Sequence, residues 1–292
     1  MSVAAFSERA AWGYLVIRLV TERDIPLPDG RTVHVYDSGG DGMALLWHHG
    51  SPQTGALLAP LLEAAAERGI RLVGYARPSY GGSTPDPGRD VAKAAGDVRV
   101  LADAIGLGRF ATMGASGGGP HALACAALLG DRVTGVVTLA SPAPYTEAFD
   151  WFAGMVDPGG LRAARQGREA RAAHPDTFDP DSFIAADWAA LEADWKSLGE
   201  DAMRAGRAGP DGLIDDDVAF ARDWGFELEA VTTPVLAVQG GLDRVIPPAH
   251  GDALLRALPN AELWLRPRDG HVSALDAVPV AMDWLRAHRD DA

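Results

Sequence analysis

Short apolar runs alternate with stretches of helical spacing over most of the chain. Thr32–Asp37 (TVHVYD) alternates apolar and polar positions, which predicts a strand with one face buried. Ala44–Trp47 (ALLW) is a short apolar run stopped by His48-His49-Gly50. From Thr54 to Arg68 the spacing predicts a helix, with Leu57, Leu58, Leu61 and Leu62 on one side. Arg71–Tyr75 reads as a strand, and a Pro- and Gly-rich loop, ARPSYGGSTPDPGRD, follows it. Val91–Ile105 is an amphipathic helix. Phe110–Met113 is a strand running into GASGGG, Pro120–Leu129 is a helix, and Val133–Leu139 is a wholly apolar strand.

The pattern changes near Ser141. From Tyr145 to Ala230 the spacing is helical, with no convincing strand and many aromatics, among them Trp151, Phe152, Trp188, Trp195, Phe220 and Trp224. The strand pattern resumes at Pro234–Val238. A helix over Ala249–Leu258, a strand over Ala261–Leu265 and a last helix over Ser273–His288 complete the chain. Strands alternating with helices of 10 to 15 residues predict βαβ units. The expected fold class is α/β: a mostly parallel central sheet with helices on both faces, plus an inserted helical cap. The expected organisation is a core in two parts, residues 1–144 and 231–292, with a cap insertion at 145–230 lining the site with some of its aromatics.

Composition narrows the partners. The 292 residues carry a formal net charge of −14, which repels phosphate backbones and anionic lipid heads. A small-molecule substrate is expected, with no nucleic acid and no membrane partner; the oligomeric state is open. The single cysteine, Cys125, allows no intrachain disulfide and sits in a small-residue helical run, HALACAALLG, as packing. Near the N-terminus Glu8, Arg9 and Arg18 break up the apolar stretch Ala10–Ile17, so it does not read as a secretory signal. No apolar run approaches the roughly 18 residues of a membrane span. A cytoplasmic protein is the default, and the arginine-rich basic set (Lys93 and Lys196 are the only lysines) points to a GC-rich coding sequence.

Chemistry concentrates in four loops. Gly114-x-Ser116-x-Gly118 lies between a strand and a helix. A serine hydroxyl is a weak nucleophile unless it is exposed, aimed and next to a base. A sharp strand-to-helix turn exposes it, and only small neighbours fit that turn. The helix start aims N–H groups at the same point, so the N–H of Gly117 is a candidate oxyanion donor. His49-Gly50-Ser51-Pro52 follows ALLW and offers a second donor, the N–H of Ser51. GASGGG lacks the lysine and spacing of a phosphate or dinucleotide loop, and His48-His49 has no partner of metal-ligand spacing, so no cofactor or metal is expected. Asp243, in GGLDRVIP after PVLAV, and His271, in DGH after AELWL, complete the chain order Ser, Asp, His. Asp269 is the competing acid. His34, His121, His174, His250 and His288 fall in a strand, a helix or the insertion, not in a loop after a late strand.

HHGSP, ARPSYGGS, GASGGGP, GGLDRVIP and DGH together resemble the α/β-hydrolase superfamily over nearly the whole chain. ARPSYGGS is similar to the loop after the fourth strand of capped members: esterases, iminopeptidase-like proteins, perhydrolases and epoxide hydrolases. Epoxide and haloalkane hydrolases carry Asp as nucleophile, whereas Ser116 implies acyl transfer. Iminopeptidases typically show a Trp beside the serine, whereas Ala115 and Gly117 stand here. The resemblance implies hydrolysis of an ester-like acyl bond through Ser116, His271 and Asp243. A same-triad peptidase, C–C hydrolase, lactonase or perhydrolase remains open. So does a ligand receptor or sensor with residual turnover.

Overall fold

The computed structural model describes residues 20–288. The N-terminal stretch around Ala10–Ile17 lies outside them. Eight strands form one sheet: β1 (Thr21–Pro26), β2 (Thr32–Asp37), β3 (Ala44–His48), β4 (Arg71–Tyr75), β5 (Phe110–Ala115), β6 (Val133–Leu139), β7 (Val235–Gly240) and β8 (Ala261–Arg266). Their spatial order is β1-β2-β4-β3-β5-β6-β7-β8. The β1–β2 and β2–β4 pairs are antiparallel and the other five pairs are parallel.

Helices cover both faces, which is why the central strands β3, β5, β6 and β7 are buried at every position rather than at alternate ones. In β3, Ala44 and Leu46 join one core cluster and Leu45 and Trp47 the other, as the pleat requires. α1 (Ala59–Glu67) contributes Leu61 and Leu62 to the second cluster. α2 (Lys93–Ala104) and α3 (Gly118–Leu129) contribute Val98, Leu101 and Leu123 to the first.

Between β6 and β7 the described residues form helices and no strand: α4 (Gly159–Ala164), α5 (Arg168–Ala173), α6 (Ala185–Glu192), α7 (Lys196–Ala208) and α8 (Asp211–Phe220). The chain then resumes the core with α9 (Pro248–Ala257) and α10 (Val278–Ala287), which pack Leu254 and Met282 onto opposite faces.

The structure departs from the pattern reading in three places. The helix expected from Thr54 begins only at Ala59, with Pro60 in its first turn. Thr54 instead gives its N–H and hydroxyl to Asp201, and Gly55 adopts φ 93°, a turn conformation. The helix expected from Ser273 opens as a 3₁₀ turn over Ser273–Ala277. β1 has no counterpart in the pattern: its sequence, TERDIP, is exposed at all but one position, and a margin strand carries no core-facing alternation.

Candidate active site

β5 ends at Ala115, and Ser116 stands on the turn into α3 with φ 51°, a left-handed conformation that a non-glycine residue holds only under constraint. The constraint is visible. The Ser116 N–H donates to Leu139 O at 2.8 Å, and its carbonyl accepts the Gly119 N–H at 3.1 Å. The flanking glycines are fixed by space: a Cβ on Gly114 would collide with the Gly118 carbonyl, and one on Gly118 with the His48 carbonyl. A Cβ on Gly117 would lie 2.6 Å from Ser51 Oγ and 2.7 Å from the Phe220 ring. The sequence-predicted oxyanion pair, Ser51 and Gly117, is thus adjacent. Among the described residues neither backbone N–H has a hydrogen-bond acceptor, so both donors are available to a ligand.

Asp243 and His271 meet across two loops. His271 Nδ1 donates to Asp243 Oδ2 at 2.8 Å, which leaves Nε2 as the proton-accepting nitrogen. The other carboxylate oxygen accepts the N–H groups of Val245 at 2.8 Å and Ile246 at 2.9 Å. Burial opposes a charged imidazole, but the Asp243 carboxylate outweighs it, and the His271 pKa is raised above 6.5. Asp269 is turned elsewhere and pairs with Arg266. Ser116, Asp243 and His271 all leave C-terminal ends of parallel strands, the edge on which open α/β sheets carry their sites.

His49 and Gly50 shape the loop that bears Ser51. His49 Nδ1 donates to Gly50 O at 2.7 Å and Nε2 accepts the Arg77 N–H at 3.1 Å, so the ring is neutral and fully used. The Gly50 N–H is taken by Gln53 at 2.5 Å. Among the described residues no group of three His, Cys, Asp or Glu side chains is placed to hold a metal ion. Cys125 is buried, with its thiol pushed up by desolvation and facing His48 Nε2 at 3.7 Å. A cleft of about 400 Å³ opens at the opposite edge of the sheet, between the starts of β3, β4, β5 and β6, and is no part of this site.

Five polar residues that the sequence reading did not single out surround the site. Asp216 of α8 is wholly buried and pairs with Arg77 at 2.6 Å and Arg89 at 2.7 Å. It also accepts the Tyr80 hydroxyl at 3.0 Å and the Ser51 hydroxyl. Burial works against this carboxylate, yet the two guanidiniums hold its pKa well below the usual range. Ser51 therefore has its hydroxyl committed and can serve an oxyanion only through its backbone. Asp187 of α6 bonds the residues after His271. The aromatics expected to line a pocket divide. Trp151, Trp195 and Trp224 are buried, with their indole N–H groups bonded to Ala143 O, Asp276 and Phe220 O. Trp188 is 40% exposed, and Phe152 stacks beneath Arg162. Phe220 reaches Gly117.

A family model described as alpha/beta hydrolase fold matches residues 44–278. The "Putative carbamate hydrolase RutD" of Caulobacter sp. (strain K31) is 28% identical over 239 residues, 79% of this chain and 84% of that protein. Among solved structures, an esterase from Exiguobacterium antarcticum superposes with a TM-score of 0.72 at 18% identity, over 91% of this chain and 100% of that one. The enol-lactonase from Burkholderia xenovorans LB400 gives a TM-score of 0.69 at 21% identity, over 91% and 100%.

Proposed function

Since the chain belongs to the α/β-hydrolase fold family, we propose that it is a serine hydrolase that opens an ester-like carbonyl bond through an acyl-enzyme on Ser116. The observation that carries this is the 2.8 Å bond between His271 Nδ1 and Asp243 Oδ2 on the sheet edge that bears Ser116. Nε2 of His271 takes the Ser116 proton as Oγ attacks the carbonyl carbon. Asp243 holds the tautomer and stabilises the imidazolium. The N–H groups of Ser51 and Gly117 bind the oxyanion, each worth about 3–4 kcal/mol in sites of this kind. His271 returns the proton to the leaving group, and water, deprotonated by the same nitrogen, releases the acid.

Residues 145–230 form a helical cap in this reading, between core parts 1–144 and 231–292. Phe220 is its wall beside the oxyanion pocket, so it sets which acyl groups fit. The substrates named for the similar proteins, esters, an enol-lactone and a carbamate, share a carbonyl with a heteroatom leaving group, and the proposed site addresses that group. The test is turnover of p-nitrophenyl acetate and mass-spectrometric trapping of the acyl-enzyme. Ser116→Ala should lose about 10⁴-fold or more in turnover and all of the mass adduct. Full turnover by a folded Ser116→Ala would remove the assignment.

A further inference from the structure

One carboxylate of the insertion is committed to the loop that carries His271. Asp187, near the start of α6, has no solvent exposure. Its Oδ1 accepts the Val272 N–H at 2.9 Å, the Ser273 N–H at 2.8 Å and the Ser273 hydroxyl at 2.8 Å. Its Oδ2 accepts the Ile184 N–H at 3.1 Å, which ties it to its own helix start. Ser273 Oγ accepts the Gly270 N–H at 2.8 Å. Backbone donors on both sides of His271 therefore end on one carboxylate, two directly and one through a hydroxyl.

Gly270 supplies an independent sign of the same contact. It is not among the glycines with positive φ, so its backbone conformation does not call for glycine. A Cβ there would collide with Asp187 Oδ2 and lie 2.7 Å from its Cγ. The glycine before His271 is there because the Asp187 carboxylate fills its side-chain space.

We propose that Asp187 is a positioning residue for the reaction, through which the insertion fixes the backbone that carries the base. The proposal rests on the reading of His271 as that base. A single hydrogen bond from Nδ1 to Asp243 orients the ring but does not hold its Cα, and small displacements of a reacting group are costly: about 1 Å of misplacement can cost about 10²-fold in rate. Asp187 also acts through its charge. Burial disfavours the imidazolium, Asp243 favours it most, and Asp187 adds to Asp243. The nearby charges on the same side answer to other partners: Arg266 pairs with Asp269, and Asp276 accepts the Trp195 N–H.

The experiment compares full-length Asp187→Asn, Ser273→Ala and Ser116→Ala with the parent on p-nitrophenyl acetate across pH, with a thermal melt of each. Asp187→Asn offers one oxygen where two now accept, so its NH2 group must face either the Ile184 N–H or the loop donors, and it should lower kcat by about 10²-fold with KM nearly unchanged. The acid limb of its kcat/KM profile should move to lower pH, because an anion acting on His271 is gone. Ser273→Ala, which keeps that anion, should lower kcat by about 10-fold with the acid limb in place. A folded Asp187→Asn with parental kcat and an unmoved acid limb overturns the proposal. Should Asp187→Asn not fold, parental kcat in Ser273→Ala overturns it instead. Full turnover by Ser116→Ala would strike the nucleophile assignment rather than this inference.

Discussion

A hydroxyl in water is a poor nucleophile, and in the proposed mechanism the backbone at Ser116 does the first part of activating it. The left-handed φ of 51° lifts the side chain off the end of β5, and it persists because two glycines let neighbouring carbonyls close around it. Gly118→Ala should therefore fail through backbone collision, either as insoluble protein or as a melt lowered by several degrees with turnover lost, and a soluble variant of parental activity would contradict that account. At His271 the raised pKa sets the pH dependence. In its proposed role as base His271 works only when neutral, so kcat/KM should rise through a pH above 6.5, the ordinary imidazole value. Asp243→Asn should move that limb down and cost about 10⁴-fold in kcat. The places proposed for nucleophile and base were legible in the sequence because the chemistry proposed for them constrains their neighbours: a nucleophile turn needs glycines in a fixed pattern. Asp187 was not, because a carboxylate that serves backbone N–H groups across the fold imposes nothing on the residues next to it. Only Gly270 hints at it, and beside the histidine that glycine reads as ordinary loop.

The same contrast holds among the elements. The parallel strands were readable because burial on both faces leaves runs rich in apolar residues, and the observed β4 and β6 share their expected bounds, as does the antiparallel β2, which was read from its alternation. α8 was not readable as a core-contacting helix, since its Asp215-Asp216-Asp217 run has the pattern of a solvated face. Each of the three is instead bonded to arginine: Asp215 to Arg168 at 2.8 Å, Asp216 to Arg77 and Arg89, and Asp217 to Arg171 at 2.6 Å. Asp216 thereby joins the helices between β6 and β7 to the loops after β3 and β4. Asp216→Asn keeps the shape but leaves two buried guanidiniums without their countercharge. It should lower unfolding free energy by about 3–5 kcal/mol, read by urea denaturation. It should also slow ester turnover, because an amide has one accepting oxygen and the carboxylate that holds the Ser51 hydroxyl is gone.

Four histidines are buried and carried neutral by the molecule as a whole. His48 and His49 are lowered well below 6.5, and His121 and His250 to about 4, in each case first by desolvation. The unfolded chain binds protons at these sites below 6.5 while the folded one does not, so stability is present above that pH and is lost as pH falls. The slope amounts to about 1.4 kcal/mol per pH unit for each such group. His271 and the buried Asp217, whose pKa burial raises to about 7, act in the opposite sense across this range, and two groups do not offset four. Chemical denaturation at pH 7.5 and at pH 5 should show the difference, and equal stabilities would refute it. The margins of the sheet bear on behaviour in concentrated solution. Among the described residues β1 forms one margin, with Glu22, Arg23 and Asp24 exposed and Pro26 lacking an N–H to donate. Glu22 and Asp24 both meet the His34 ring on the next strand. A second molecule extending the sheet there would have to set its strand beside these charges and opposite a proline with no N–H to donate. Replacing both with valine would leave an apolar ribbon of high strand propensity, and light scattering should then detect growth of sheet-to-sheet polymers that the parent resists.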